Sequence, residues 1–452
     1  MNKQLFKKYM MQGLGRCVLE LRDPEARKKH IESVLRACKR NIAYDPQSEG
    51  VRARYVYEMT QNYSDSENFL SAAIDALNKL PRRNDWDFIH ICELLFHFAR
   101  DGSKTAEKSL LTEYEKLVNY FMSDRRYRGY DHECYRLENI SIILVRLFGE
   151  RILPRIAHDL GAMCRQKGIC LSKDYDWLFT YIYNFIGVNK SKRILKNAGA
   201  TDADAMCFFE EYIKPSDCIP QSEKPKTADP NADTIIAEIN TLGSVSIASR
   251  LNFMRKASED EKTRLYLAIL GEEDPEKKAE YISTLYSKPG YIPLNPAYIA
   301  ECSRSDNEKL RNASFAALKN CKSYFVREYA LELLEKGEHV KEAIPILITN
   351  YEHEDKTRLL AAVSSLVTDR EDSSDWHDIG IDIINAYRTK VPLPKEFLLY
   401  VYETTRCSYC RKRAVSELAK HRWLTPDMIE ECRHDSNIDT VNHMNRYYKK
   451  ST

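Results

Sequence analysis

Cys407 and Cys410, which are separated by two residues, are the clearest candidates for metal chemistry in this chain. Two thiolates at this spacing bind Zn²⁺ when two further ligands complete a tetrahedral set, and Cys432 and His434 follow later in the sequence. The alternative is that these cysteines are buried free thiols, which behave as small apolar side chains. We favour buried thiols, because an internal repeat places Cys410 and Cys432 at helix positions that face the core.

Basic and aromatic residues are interleaved in several short clusters. Arginine and tyrosine together can bind phosphates and stack on unpaired bases, so these clusters are candidates for a patch that binds nucleic acid or another partner. The candidate patch consists of Arg125, Arg126, Tyr127, Arg128, Tyr130, Lys190, Lys192 and Arg193. Because the chain holds 69 Lys and Arg against 67 Asp and Glu, solvated helix faces that produce such runs by chance are the alternative interpretation.

Sequence motifs of enzymes are missing from the chain. It has no Gly-x-Ser-x-Gly turn for a nucleophilic serine, no glycine-rich loop that would hold phosphate, and no aspartate cluster of the kind that phosphoryl transfer requires. We therefore expect no catalytic residue, no metal and no cofactor.

The composition indicates an ordered, helical chain in a reducing compartment. Glycine (15) and proline (16) are scarce for 452 residues, which removes the turn residues that a β-rich chain needs. A formal charge of +2 excludes attraction of nucleic acid by net charge. The 13 cysteines form an odd set on apolar helix faces, and no apolar run is long enough for a signal peptide or a membrane span. We expect a cytoplasmic protein that does not bind membranes.

Apolar residues recur at steps of three and four, which is the period of an amphipathic helix. Phe88, Ile91, Cys92, Leu95 and Phe96 predict a helix near residues 86–99. The same spacing predicts helices through Ile140–Phe148 and Val326–Leu334. It also predicts one through the apolar residues Trp177, Leu178, Tyr181, Ile182 and Phe185. Both halves of the chain should be helical.

One break in this pattern predicts a domain boundary. Residues 214–234 carry prolines at positions 215, 220, 225 and 230 and have no apolar periodicity, which is typical of a semi-rigid linker. We expect an N-terminal helical domain at residues 1–213, a proline-rich linker at 214–234 and a C-terminal repeat domain at 235–452.

The C-terminal half contains an internal repeat. Ile299-Ala-Glu-Cys302 followed by Asn307 recurs as Ile429-Glu-Glu-Cys432 followed by Asn437. Together with Phe325-Val-Arg327 and the later Ala330, Leu333 and Leu334, this pattern resembles HEAT-like repeats, as found in bacterial proteins among others, and it extends well over residues 300–450. The resemblance implies an all-α fold, built as an α-solenoid of helical hairpins in two segments. Within such a stack, Arg311, Arg327 and Arg411 can pair with acidic side chains of the next repeat.

The resemblance brings one further metal hypothesis. HEAT-repeat deoxyhypusine hydroxylases hold two irons with four His-Glu pairs, whereas this chain has two, His132-Glu133 and His353-Glu354, in different halves. A di-iron centre would therefore lack ligands. We expect a non-enzymatic scaffold or adaptor that binds a protein partner. The alternative is a nucleic-acid-binding protein, related to DNA repair or defence, that uses the arginine and tyrosine patch.

Overall fold

Helices form the regular secondary structure of this protein. A computed structural model describes residues 1–81, 84–123, 132–213, 231–286, 295–366 and 374–448. These ranges contain no strand, which confirms the all-α prediction for them. The predicted linker lies largely outside the described residues, since 214–230 fall in a gap, and residues 231–234 form the cap and first turn of a helix. No helix within these ranges has the length and apolarity needed to cross a bilayer.

The chain forms two compact units. The first takes in the described parts of Met1–Pro220, Arg406–Tyr409 and Thr425–Thr452. Its helices are α1 (Lys3–Gln12), α2 (Arg16–Glu20), α3 (Pro24–Cys38), α4 (Pro46–Glu49), α5 (Ala53–Thr60), α6 (Glu67–Lys79), α7 (Asp85–Arg100), α8 (Lys104–Met122), α9 (His132–Phe148), α10 (Leu153–Lys167), α11 (Leu171–Asp174), α12 (Asp176–Ile186), α13 (Val188–Gly199) and α14 (Ala203–Ile213). A 3₁₀ turn at Gly149–Ile152 joins α9 to α10.

The second unit takes in the described parts of Gln221–Thr405 and Cys410–Leu424. Its helices are α15 (Ala232–Leu242), α16 (Ile247–Lys256), α17 (Glu259–Gly271), α18 (Pro275–Leu285), α19 (Pro296–Cys302), α20 (Glu308–Lys319), α21 (Tyr324–Lys336), α22 (Val340–Thr349), α23 (Lys356–Leu366), α24 (Ser374–Arg388), α25 (Glu396–Thr404) and most of α26 (Ser408–Lys420). Helices α27 (Pro426–Cys432) and α28 (Ile438–Tyr447) belong to the first unit.

Capping residues in the sequence account for many helix starts. The Asp23 carboxylate accepts a hydrogen bond from the Glu25 amide at 3.1 Å, and Pro24 occupies the first position of α3, where no backbone N–H is required. Asp274 caps α18 in the same way by accepting from the Glu276 amide. Local sequence is sufficient to start these helices at the observed residues.

Helix α7 lies in the core of the first unit and packs against α5, α6, α8 and α9. Every residue from Phe88 to Ala99 except Glu93 is buried, and the helix matches the one predicted near residues 86–99. A helix that is apolar on nearly all sides requires neighbours on all sides. In the second unit, α20 packs between α18 and α22, and α22 packs in turn against α24.

Both copies of the internal repeat adopt the same local structure. Helices α19 and α27 are seven residues long, begin with proline and end at Cys302 and Cys432, which are both buried. Each is followed by a helix whose cap is an asparagine, Asn307 for α20 and Asn437 for α28. The repeat seen in the sequence is therefore a repeat of helix, turn and cap.

An arginine at the fourth position of the helix bonds the preceding turn in three hairpins. Arg27, Arg311 and Arg411 each donate to backbone carbonyls five or six residues earlier, at distances of 2.9 to 3.4 Å. Carbonyls in such turns have no helical N–H to bond. Arg327 has the same helix position but instead pairs with Asp355, with N–O distances of 2.7 and 2.9 Å.

The C-terminal helices complete the first unit by packing against its N-terminal segment. Arg16 donates two parallel hydrogen bonds to the Glu431 carboxylate, at 2.7 and 2.9 Å, a geometry that gives strong, directional pairing. The Ser436 amide donates to the Gly13 carbonyl at 3.0 Å. Gly15 lies directly against the backbone of α27.

This close approach predicts a sharp effect of adding one methyl group. A Cβ atom at Gly15 would lie 1.9 Å from the Glu431 carbonyl oxygen, so the backbone would have to move. We expect Gly15→Ala to lower the free energy of unfolding by about 2–3 kcal/mol, measured by urea denaturation.

The matched control is Gly271→Ala at the end of α17, where an added Cβ meets no atom within 4 Å. It should change the free energy of unfolding by less than about 1 kcal/mol. Equal effects of the two substitutions would contradict the close contact between Gly15 and α27.

Candidate functional site

The cysteines weighed as zinc ligands are buried, and the histidine has protein partners. Cys407, Cys410 and Cys432 all lie in the interior. In His434, Nδ1 contacts the Glu58 carboxylate and Nε2 lies 2.9 Å from Nη2 of Arg22. Within the described ranges, neither Cys432 nor His434 joins a cluster of three potential metal ligands. His434 instead forms part of the contact between α27 and α5.

The two His-Glu pairs considered for iron also have partners of their own. His132 contacts Asp85 through Nδ1, and Glu354 accepts a hydrogen bond from Arg327 at 2.8 Å. Neither pair belongs to a three-ligand cluster in the part of the chain that the structure describes.

His158, Asp202 and Asp204 bring their ligand atoms within 4.8 Å of one another on the surface of the first unit. Asp202 accepts hydrogen bonds from the amides of Asp204 and Ala205, so it caps α14. Asp204 pairs with Arg165 at 2.7 Å. Nδ1 of His158 lies 2.7 Å from the Asp202 carboxylate, so the cluster is accounted for as a helix cap with one ion pair and one histidine contact.

Burial makes several thiols poor nucleophiles. Removal from water raises the pKa of Cys17, Cys38 and Cys92, and it raises that of Cys321 to about 11. A thiol reacts through its thiolate, so these groups are protonated and inert near neutral pH.

Two histidines on α7 are held neutral in the core. Burial lowers the pKa of His90 to about 4, and its Nε2 lies 2.9 Å from the Ala37 carbonyl oxygen. Burial, reinforced by nearby arginines, lowers the pKa of His97 to about 4, and its ring stacks on Tyr57 at 5.3 Å. Both side chains pack between helices, so we assign them to the structure of the core.

Helix α12 carries two exposed aromatic side chains with a half-buried tyrosine between them. Trp177 is 73% exposed and Phe185 is 51% exposed, although both are large apolar residues. Tyr181 lies between them, with its ring stacked on that of Phe185 at 5.5 Å between centroids. We call Trp177, Tyr181 and Phe185 the aromatic stripe of α12.

The sequence pattern did not separate this stripe from the core. Leu178 and Ile182 on the same helix are buried against the unit, whereas Trp177 and Phe185 face outward. Apolar residues on both sides of one helix give a single run at steps of three and four. A four-residue aromatic step does not separate the two sides either, because Phe179 and Tyr183 have the same step and pack against the core.

The next helix contributes positive charge. Lys192, Arg193 and Lys196 are exposed on α13 and have no acidic partner among the described residues. Lys190 differs from them because its ammonium group pairs with Glu150 at 2.6 Å. We call Lys192, Arg193 and Lys196 the basic face of α13.

The candidate patch predicted from the sequence is described only in part. Arg125, Arg126, Tyr127, Arg128 and Tyr130 lie outside the described residues. Of the remaining predicted members, Lys192 and Arg193 belong to the basic face, and Lys190 forms the ion pair with Glu150.

The buried side of α12 packs against neighbouring helices of the first unit. Helix α12 packs on α9 and α13, and the Leu178 amide at its start donates to the buried Glu138 carboxylate at 3.0 Å. On its other side, the Phe179 ring packs edge-on against Tyr212 at 5.2 Å. The stripe is therefore carried by a helix that is fixed on several sides.

The second unit contains a shallow cavity of about 300 Å³ between α20, α22 and α24. Its lining mixes charged and apolar side chains: Asn312, Phe315, Ala316, Lys319, Lys341, Glu342, Pro345, Asp378, Ile379 and Asp382. Lys319 pairs with Asp382 at 2.7 Å across it. This pairing occupies two of the charges that a ligand would otherwise meet.

Comparison with known proteins found no similar protein. No family model matches the chain, and neither curated proteins nor solved structures give a match.

The buried histidines predict a loss of stability in mild acid. Their pKa of about 4 in the folded chain lies below the ordinary value of 6.5, so between these values the unfolded chain binds more protons. The contribution of each histidine to the free energy of unfolding is fully present above about pH 6.5. It decreases as the pH falls toward 4, by up to about 3 kcal/mol per histidine.

Urea denaturation at about pH 7 and at about pH 5 gives the free energy of unfolding at each pH, and the difference between the two values measures this loss. His97→Gln should reduce the difference between the two pH values even if it lowers stability at both. His353→Gln, whose side chain is exposed, is the control and should leave the difference unchanged. An unchanged difference in His97→Gln would show that His97 does not contribute to it.

Proposed function

We propose that this protein is a non-enzymatic scaffold or adaptor that binds a protein partner through the aromatic stripe of α12 and the basic face of α13. The observation that carries the proposal is the exposure of Trp177 (73%) and Phe185 (51%) on one helix. Single exposed apolar residues are ordinary, but two large aromatic residues exposed on one helix are typical of a binding surface.

Burial of the stripe would supply useful binding energy. At about 25 cal/mol per Å², covering the exposed part of a tryptophan or phenylalanine side chain contributes about 2–3 kcal/mol each. Tryptophan, tyrosine and arginine are also the residues that most often dominate binding energy at protein interfaces.

The helix packing is consistent with a HEAT-like solenoid. In the second unit α18, α20, α22 and α24 pack in succession, and in the first unit α5, α7 and α9 do the same. Contact between every second helix is the arrangement that a stack of helical hairpins produces. We propose that both units are stacks of this kind, which present extended helix faces to partners.

Neutral, buried side chains favour binding over catalysis. Burial raises the pKa of the Cys17, Cys38 and Cys92 thiols, and His90 and His97 have pKa values of about 4. Groups held in these states do not serve as nucleophile or general base near neutral pH.

A nucleic-acid partner is the second candidate, and the cations of the basic face favour it, because they lack acidic partners among the described residues. Such binding would weaken steeply with salt.

Site-specific photocross-linking tests the proposed function. A benzoylphenylalanine at position 185, in the stripe, should cross-link to a protein in the native cell, and mass spectrometry of the adduct identifies it. We expect Trp177→Ala in the same chain to reduce the adduct by about tenfold, since it removes a neighbouring anchor.

The control places the cross-linker at position 324, where Tyr324 is 75% exposed in the second unit. Adducts that form equally at both positions, or adducts with nucleic acid alone at position 185, would overturn the protein-partner proposal.

A further inference from the structure

The charges around the stripe are unevenly distributed. The exposed positions of α12 other than the stripe are Asp176, Thr180 and Asn184, so this face of the helix carries no basic residue. Lys192, Arg193 and Lys196 lie on α13, the next helix along the chain, and the exposed Lys173 lies on α11 before the stripe. A ligand that fits both helices must therefore offer an apolar region and a separate anionic region.

The basic face is compact. At 3.6 residues per turn, Lys192, Arg193 and Lys196 fall within roughly 100° of the helix circumference. The buried residues Ser191 and Leu195 lie on a different side of α13 and hold the helix against the unit. Like charges at positions i and i+4, such as Lys192 and Lys196, repel each other slightly, and an anionic neighbour would relieve this repulsion.

This separation argues against a single nucleic-acid strand. In such a strand every base is accompanied by a phosphate, so proteins that stack bases place cations beside the stacking aromatic rings. Here the residues that flank the stripe on α12 are neutral or, at Asp176, acidic. In addition, the rings of Tyr181 and Phe185 already stack on each other, so a base cannot insert between them without breaking this contact.

The spacing of the stripe matches a helix. Trp177, Tyr181 and Phe185 are four residues apart, and at 1.5 Å per residue they lie about 6 Å apart along the axis. Apolar side chains at positions i, i+4 and i+7 of a second helix have a similar spacing, which is the basis of helix recognition by apolar surfaces.

We infer that the partner segment is an acidic amphipathic helix, whose apolar side chains pack on the aromatic stripe while carboxylates along one edge pair with Lys192, Arg193 and Lys196. This inference rests on the proposed function and specifies the chemistry of the partner. The charge complementarity sets the orientation of the bound helix, and the stripe supplies most of the affinity.

A peptide selection tests this inference. A random library of 16-residue peptides displayed on phage is selected on the full chain and counter-selected on the variant K192Q/R193Q/K196Q. We expect the enriched peptides to carry net negative charge and apolar residues three or four positions apart. Synthetic copies should bind the variant about tenfold more weakly than the unchanged chain.

The matched control is R36Q/K39Q/R40Q, which removes three exposed charges from the last turn of α3 and the residues that follow it. It should leave the affinity unchanged. If the peptide covers the stripe, binding should change the fluorescence of Trp177. This change should disappear in Trp177→Phe.

Other outcomes overturn the inference. Enriched peptides without negative charge, no enrichment, or equal affinity for the two triple variants would each reject an acidic partner. Binding of a labelled oligothymidylate that K192Q/R193Q/K196Q abolishes would assign the surface to nucleic acid. If a protein still cross-links at position 185 while the acidic peptides fail, the proposed function stands and only the acidic chemistry is wrong.

Discussion

The rest of the structure depends on one constraint: the backbone carbonyls in the hairpin turns need hydrogen-bond donors. Helices of this length are marginal alone in water, so each must pack closely on its neighbours, and close packing requires short turns. Arg27, Arg311 and Arg411 bond the carbonyls of the turns before their helices. Arg411 is fully buried, which shows that a charged side chain is accepted inside the protein where it satisfies such groups.

Dense packing has a chemical consequence. Side chains that could react, such as Cys92 and His90, sit on helix faces that the neighbouring helices cover. Desolvation then holds the thiol protonated and the imidazole neutral. The same packing that stabilises the fold removes reactivity from the described core, and function is left to the helix faces that remain uncovered.

Only part of the candidate site could be predicted from the sequence. Lys192 and Arg193 were found because a basic run is visible without knowledge of burial. Trp177 and Phe185 were grouped with Leu178 and Ile182, because apolar periodicity identifies a helix and does not tell which side of it faces the core when both sides are apolar. The di-iron and zinc hypotheses depended on whether ligands distant in sequence meet, which spacing alone does not establish.

By itself, the sequence determined the helical class, the helix starts and the internal repeat, because caps such as Asp23 and Asn307 act on backbone groups within three residues. Tertiary structure decided what each helix covers. It placed α27 against Gly15 in the first unit, bonded His434 to Glu58, and left Trp177 exposed. These outcomes depend on contacts between segments up to several hundred residues apart, and local sequence patterns do not predict such contacts.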